Sequence, residues 1–208
     1  MGMQDFGMGP RRAITLPMFG DGIFTQEGPD WKHSRHLLRS QLQYSQYENL
    51  EVFRVAVDDL IQFVRCSNGA IDLQPLFFRL TLDTTTAFLL GETVRSLVAP
   101  EATGERTFAS AFDTAQQWVT KRYRLLGLYW LVDGKAFRQA CQDVHKFADQ
   151  IIDQNLLSDR SGAGDPGRYV FLDTVAQSTT DRTALRGQII NLLAAGRDTT
   201  ACLLSWTL

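Results

Sequence analysis

The sequence has 208 residues, 44% hydrophobic and 21% charged, enough for one large domain or two small ones. A formal net charge of −2 offers no basic stripe, so no nucleic-acid partner is expected. Cys66, Cys141 and Cys202 stand far apart with no C-x-x-C pair, which suggests neither a disulfide framework nor a zinc site; free thiols fit a reducing compartment.

In chain order, residues 1–30 are rich in Gly and Pro and read as loop, with the apolar stretch 14–24 broken by Gly20 and Gly22. Residues 1–12 have no apolar core and carry Arg11 and Arg12, so they do not read as a signal peptide. Asp30 can cap a helix that begins near Trp31 and runs through Leu37, Leu38 and Leu42. A second helix is expected from Tyr47, with Leu50, Phe53, Val57, Leu60, Ile61 and Val64 on one face. Ser67-Asn68-Gly69 would end it in a left-handed cap. Residues 70–73 can be extended. Pro75 then marks a helix start, and that helix runs to Gly91 as a C-cap.

A fourth helix is expected over 106–123, with Phe108, Phe112, Ala115 and Trp118 on one face. A fifth covers 135–157, striped by Phe137, Cys141, Val144, Phe147, Ala148, Ile151 and Ile152. Residues 158–169 read as loop and 171–177 as a short helix, and Asp181 can cap the last long helix. That helix runs to Trp206-Thr207-Leu208 without a Gly, Pro or polar tail, so it reads as interrupted. No run approaches the roughly twenty apolar residues that span a bilayer. The class is mostly α, in one continuous piece with few convincing strands.

The most informative stretch is Asn191-Leu192-Leu193-Ala194-Ala195-Gly196-Arg197-Asp198-Thr199-Thr200-Ala201. A mid-helix Gly costs about 0.5–1 kcal/mol relative to Ala, and two β-branched Thr lower helix propensity further. Such local conflict is accepted where function requires it. The Thr199 hydroxyl can reach the carbonyl of Ala195 four residues back and loosen the helix. Gly196 lets something bulky approach the backbone. Asp198 sets a carboxylate beside the Thr199 hydroxyl, a pair able to pass protons into an apolar site. The alternative is a kinked core helix with a solvated Asp-Arg pair. Far upstream, Trp31 and Arg35 are four apart on one helix face and could receive carboxylates, or could be a surface Trp under an Arg stem.

Together these segments resemble the haem-thiolate monooxygenases, the cytochromes P-450. That family carries W-x-x-x-R on its third major helix and [A/G]-G-x-[D/E]-T-[T/S] on its long central helix. The counterparts are Trp31…Arg35 and Ala195-Gly196-Arg197-Asp198-Thr199-Thr200. Asp21-Gly22-Ile23-Phe24, Trp31-Lys32-His33-Ser34-Arg35, Pro75-Leu76-Phe77-Phe78-Arg79-Leu80-Thr81-Leu82-Asp83 and Tyr169-Val170-Phe171-Leu172-Asp173 look like the fungal branch that hydroxylates alkanes and fatty acids. Ser40 and Ala194 depart from that branch without removing a functional group.

The resemblance implies a partial cytochrome P-450 fold, from the segment before the third major helix to the central long helix, with 1–208 as one incomplete domain. It implies a haem b cofactor, whose propionates Trp31 and Arg35 would bind. Ala195 and Gly196 would form the groove for dioxygen, and Asp198 and Thr199 would deliver protons. Residues 20–25 would border the pocket for an apolar substrate, and the helices over 106–157 would roof it. Phe108, Phe112 and Trp118 are candidates for apolar contacts there, with ordinary core the favoured reading. An NADPH-dependent reductase would supply electrons, and the full-length family belongs to the endoplasmic reticulum membrane. This chain, with no spanning segment, would be cytosolic or misfolded.

The family's later E-x-x-R and its Cys-bearing loop are not found. Glu51…Arg54 and Glu92…Arg95 have the E-x-x-R spacing but precede the central helix, and none of the three cysteines has the loop's surroundings. The chain alone is therefore expected to be inactive and unable to hold haem through a thiolate. The alternative is a catalytically dead helical protein that binds or docks. Gly162-Ala163-Gly164-Asp165-Pro166-Gly167 matches a dinucleotide fingerprint but follows a helical pattern and contains Pro166, so it reads as loop. No metal site is expected from His33, His36 or His145.

Overall fold

The computed structural model describes residues 7–41, 50–90, 93, 95–98, 105–160 and 181–208. Among these residues it has no strand, one 3-10 helix and seven α-helices. The α-helices are α1 (Pro10–Phe19), α2 (Gly28–Gln41), α3 (Glu51–Cys66), α4 (Leu73–Leu90), α5 (Glu105–Leu125), α6 (Lys135–Arg160) and α7 (Arg182–Thr207). The 3-10 helix η1 (Leu126–Leu131) joins α5 to α6.

The first departure from expectation is α1, in a stretch whose Gly and Pro content reads as loop. Pro10 sits at the helix start, where its fixed φ helps and its missing N–H is not needed. Ile14 and Met18 then fall on one face and are fully buried. Pro17 is inside the helix and cannot donate to the carbonyl of Ala13. The buried guanidinium of Arg122 on α5 donates to that carbonyl instead, at 3.2 Å. A side chain more than a hundred residues away thus replaces the bond that the proline removes. The same guanidinium donates to Val132 O at 3.3 Å and lies 5.0 Å from the rings of Tyr129 and Phe137. Arg122 holds together α1, α5, η1 and the start of α6.

Other boundaries shift for local reasons. α2 starts at Gly28, before Trp31, because Pro29 suits a first turn, and Asp30 sits inside that turn rather than capping it. α3 ends at Cys66 with Ser67 extended, and the positive φ falls at Gly69 rather than at the cap. Leu73 belongs to α4, so 70–73 is not a strand; Asp72 accepts from Gln74 N at 3.1 Å. Tyr47, Gly91 and residues 171–177 lie outside the described residues. Asp181 caps α7, accepting from Thr183 N at 2.8 Å.

α4 packs along α7, α5 along α6, and α3 along α4. The main core joins Ile14 and Met18 to Leu82 and Leu89, the α5 and α6 stripes, and Leu185, Ile189, Ile190 and Leu193 of α7. Phe108 and Phe112 are core residues, with the Phe108 ring stacked 4.2 Å from Phe147. A second cluster gathers Ala56, Leu76, Phe77, Leu80 and Leu97 around Ala201. The turn at 95–98 locks α3 to α4. Arg95 adopts a left-handed φ of 51° and forks onto Asp59, with Nη2 to Oδ1 at 3.0 Å. Buried Asp83 accepts from Ser96 N at 2.7 Å and Leu97 N at 3.3 Å.

His145 on α6 donates from Nε2 to Met18 O at 2.9 Å, at the end of α1. Burial holds its pKa below the ordinary value of 6.5; the Met18 bond and Asp149 oppose the shift, while Arg186 adds to it. A base with a depressed folded pKa binds fewer protons folded than unfolded, so stability is complete above 6.5 and falls as pH drops below it. Burial raises the Asp83 pKa against its two backbone donors. That shift has the opposite sign, favouring the fold as pH falls through the window above 3.8. Urea unfolding between about pH 7 and 5 should therefore show stability falling with acidity in the wild-type chain, and His145→Gln should flatten that slope. A slope unchanged in the variant would assign it to other groups.

Candidate functional site

The loop between α1 and α2 is bonded to α7 through buried polar groups. The Asn191 amide donates to Phe19 O at 3.0 Å and to Gly187 O at 2.6 Å, and its Oδ1 accepts from Phe24 N at 2.7 Å. Gln188 accepts from Ile23 N at 3.3 Å and donates to Ser34 Oγ of α2 at 2.7 Å. The buried Thr25 hydroxyl donates to Gly20 O at 2.6 Å and accepts from Gly22 N at 2.9 Å, which holds the loop in shape. Contact is close enough that a Cβ on Gly187 would lie 2.3 Å from Asp21 O. One sign of this lock is visible in the sequence: Gly187, Gln188 and Asn191 break the apolar pattern of α7 a full turn or more before the Gly196 region.

The Ser34 bond fixes which way α2 faces. Trp31 and Arg35 lie on an adjoining face of α2. The Arg35 guanidinium lies 5.6 Å from the Trp31 ring centre, a cation–π contact. Among the described residues no carboxylate pairs with Arg35, so indole and guanidinium both present free N–H donors. On α7, residues 188, 192, 195 and 199 share one face by their spacing. The face that meets Ser34 therefore continues along α7, at 1.5 Å per residue, to half-buried Ala195 roughly 10 Å further and exposed Thr199 roughly 17 Å further.

Around Gly196 the helix divides its residues among three neighbours. The Thr199 hydroxyl donates to Ala195 O at 2.6 Å, the back-bond expected from the sequence. Gly196 turns toward α4, where an added Cβ would lie 2.5 Å from Thr85 Oγ1. Arg197 is only 2% exposed and sits between Phe78 and Phe112, 4.8 and 5.4 Å from their ring centres. It reaches Asp198 Oδ1 at 2.8 Å and Asp113 Oδ1 at 3.4 Å. The other oxygen of Asp198 accepts from the Gln116 amide of α5. The Asp-Arg pair is thus not solvated, because aromatic rings from α4 and α5 cover the guanidinium. Asp198 and Thr199, about 100° apart around the helix, straddle the edge between the α5-covered side and the open face. Sequence reasoning missed Gln116 and Asp113, which carry no motif, and gave Arg197 a place only in the alternative of a solvated pair with Asp198.

A family model described as cytochrome P-450 matches residues 4–208. The chain belongs to the cytochrome P-450 family. It is 47% identical over 202 residues to a cytochrome P-450 of Arthroderma benhamiae, covering 94% of this chain and 40% of that protein. It is 42% identical to cytochrome P-450 52A12 of Debaryomyces hansenii, covering 98% of this chain and 42% of the relative. The chain thus spans about two fifths of the length of these curated relatives. Among solved structures, the haem domain of cytochrome P-450DA superposes with a TM-score of 0.68 at 22% identity, over 94% of this chain and 43% of that one. A six-coordinated cytochrome P-450 of Thermus thermophilus gives a TM-score of 0.60 at 17% identity, over 95% of this chain and 44% of that one. The helical architecture is that of part of a cytochrome P-450 fold.

Family membership implies haem. The described residues are compatible with it: two unpaired N–H donor groups share a face of α2, and an exposed hydroxyl and a small residue share the open face of α7. No helix among the described residues is long and apolar enough to cross a membrane.

Two outcomes follow from the α7 geometry. Gly196→Ala should destabilise the chain by about 1–3 kcal/mol through overpacking against Thr85, despite the better helix propensity of Ala. In a Thr85→Ala background the same change should be neutral or stabilising in urea unfolding; an equal loss in both backgrounds would remove Thr85 as the cause. Asp198→Ala should cost about 1–3 kcal/mol by leaving buried Arg197 with only its longer contact to exposed Asp113, whereas Thr199→Ala at the exposed face should change stability by less than about 0.5 kcal/mol. Equal losses would show that Arg197 does not depend on Asp198.

Proposed function

We propose that this chain is the segment of a haem-dependent monooxygenase that supplies the oxygen-activating helix, the enzyme inserting one atom of O2 into an alkane or fatty acid. The observation that carries this reading is Asp198 and Thr199 side by side at the edge of the open face of α7, with Thr199 bonded back to Ala195. The resemblance to the fungal alkane and fatty-acid hydroxylase branch supports the substrate class.

In this reading Trp31 and Arg35 hold the haem propionates through charge-assisted hydrogen bonds. Haem, when bound, supplies the redox chemistry. Ala195 and Gly196 border the place of dioxygen; Ala195 keeps the open face of α7 low, while Gly196 lets the helix sit tightly on Thr85. Asp198, between Gln116 and the outer face, exchanges a proton and the Thr199 hydroxyl passes it inward. An NADPH-dependent cytochrome reductase supplies electrons, the complete protein works at the endoplasmic reticulum membrane, and residues 1–208 form part of one domain.

The cysteines favour a second reading for the chain by itself, a binding protein without catalysis. Cys66 and Cys202 are exposed on helices, and Cys141 is buried within α6 with its thiol pushed up to about 12 by burial. Such a thiol resists forming the thiolate that binds iron.

Sequencing the genomic frame beyond the Leu208 codon tests the choice. A later E-x-x-R and a Cys loop in frame support the enzyme, and protein from that frame should show the thiolate-type Soret band when reduced with carbon monoxide. The 208-residue chain treated alike should lack that band; its presence there would overturn the assignment of the iron ligand to residues outside this chain.

A further inference from the structure

The connection between α3 and α4 carries the one Asn-Gly step of the sequence, Asn68-Gly69. Asn68, Gly69 and Ala70 are all exposed, and no hydrogen bond joins Asn68 or Gly69 to any described residue. Gly69 has a positive φ of 97°, a conformation that suits glycine, and a Cβ added there would meet nothing within 4 Å. The bend is held at its ends rather than along its length. Val64 before it and Ile71 and Leu73 after it pack against the second core cluster. Ser67 adds a bond from its hydroxyl to Phe63 O at 2.8 Å.

Asparagine is chemically labile, and a following glycine opens a particular route. The Gly69 nitrogen, on losing its proton to base, attacks Asn68 Cγ. A C–N bond forms, the side-chain nitrogen leaves as ammonia, and the product is a five-membered succinimide. Water then opens the ring at either carbonyl, giving aspartate or an isoaspartate whose main chain runs through Cβ. The attacking nitrogen has to be unbonded and uncrowded, which separates Asn68 from the other asparagines. Asn49, Asn155 and Asn191 are each followed by Leu. Asn155 and Asn191 also lie inside α6 and α7, where the next N–H is tied to a carbonyl four residues back. A glycine alone is not enough. Gly22 follows Asp21 but is buried, and its N–H donates to Thr25 Oγ1 at 2.9 Å.

We propose that Asn68 is a site of spontaneous modification, converting to aspartate and isoaspartate while the protein stays folded. Each conversion adds one negative charge to a formal net charge of −2. The isoaspartyl form also adds one main-chain atom to the link between α3 and α4, at the bend that no packing holds.

The test is incubation of the folded 208-residue chain at mildly alkaline pH, with peptide mass mapping over time. The peptide holding Asn68 should gain the mass difference between acid and amide about as fast as the same peptide cut free. Asn155 and Asn191 should remain amides over that period, and the rate at Asn68 should rise with pH, since the Gly69 proton has to leave. Gly69→Ala should slow the gain about tenfold, because a Cβ crowds the attacking nitrogen and raises the barrier. Misfolding of that variant cannot imitate the slowing: unfolding frees the nitrogens after Asn155 and Asn191 and speeds modification there. The proposal is overturned if Asn68 stays an amide in the folded chain while the free peptide converts, or if Gly69→Ala converts as fast as wild type.

Discussion

Asn191 sits in the middle of a buried helix face and bonds three backbone groups, two of which, at the end of α1 and in the loop after it, lie more than 160 residues earlier in the chain. With Gln188 and the bare Cα of Gly187, it lets residues 20–25 lie directly on α7. A buried amide left unpaired costs about 1–3 kcal/mol, so loop and helix constrain each other strongly. The orientation of α2 follows, because Ser34 is bonded to Gln188 and also donates to Gln26 Oε1 at 2.5 Å. That contact sets α2 against the Gln188 end of the α7 face that also carries Ala195 and Thr199.

Two buried arginines do comparable work elsewhere in the packing. Arg122 supplies the donor that Pro17 lacks, and Arg197 holds the Asp198 carboxylate on the α5 side of the central helix. Each guanidinium is stacked on two rings, which suits Arg, whose planar and weakly hydrated head is less costly to bury than an ammonium. In each, Nε has no partner among the described residues, a cost that the surrounding bonds offset. The result bears on chemistry. The acid of the Asp198–Thr199 pair is tied to α5 by Gln116 and through Arg197, while the hydroxyl is tied only to its own helix. Any movement of α5 relative to α7 acts on the carboxylate first.

Much of the fold was legible in the sequence, and the parts that were share a cause. The α5 and α6 spans, the start of α6 at Lys135, the Asp181 cap and the Thr199 back-bond all depend on residues within four or five positions of each other. Phe108 and Phe112 as core follow from the same periodicity. The stretch over 10–19 failed that approach because its two prolines argue against a helix locally. Only the Arg122 guanidinium, brought by a different helix, satisfies the carbonyl that Pro17 leaves open.

By itself, then, the sequence determined a mostly helical chain, its family, and the motif residues of α2 and α7, because spacing and residue type carry that information locally. Tertiary structure decided how those residues are used. It placed Gly196 against Thr85, buried Arg197 between two rings and bonded Arg12 to Thr25 O in the loop before α2. Whether a charge is solvated or buried, and which helix fills the space beside a glycine, depends on elements that meet only after the chain has packed. The periodicity of a single helix has no access to that.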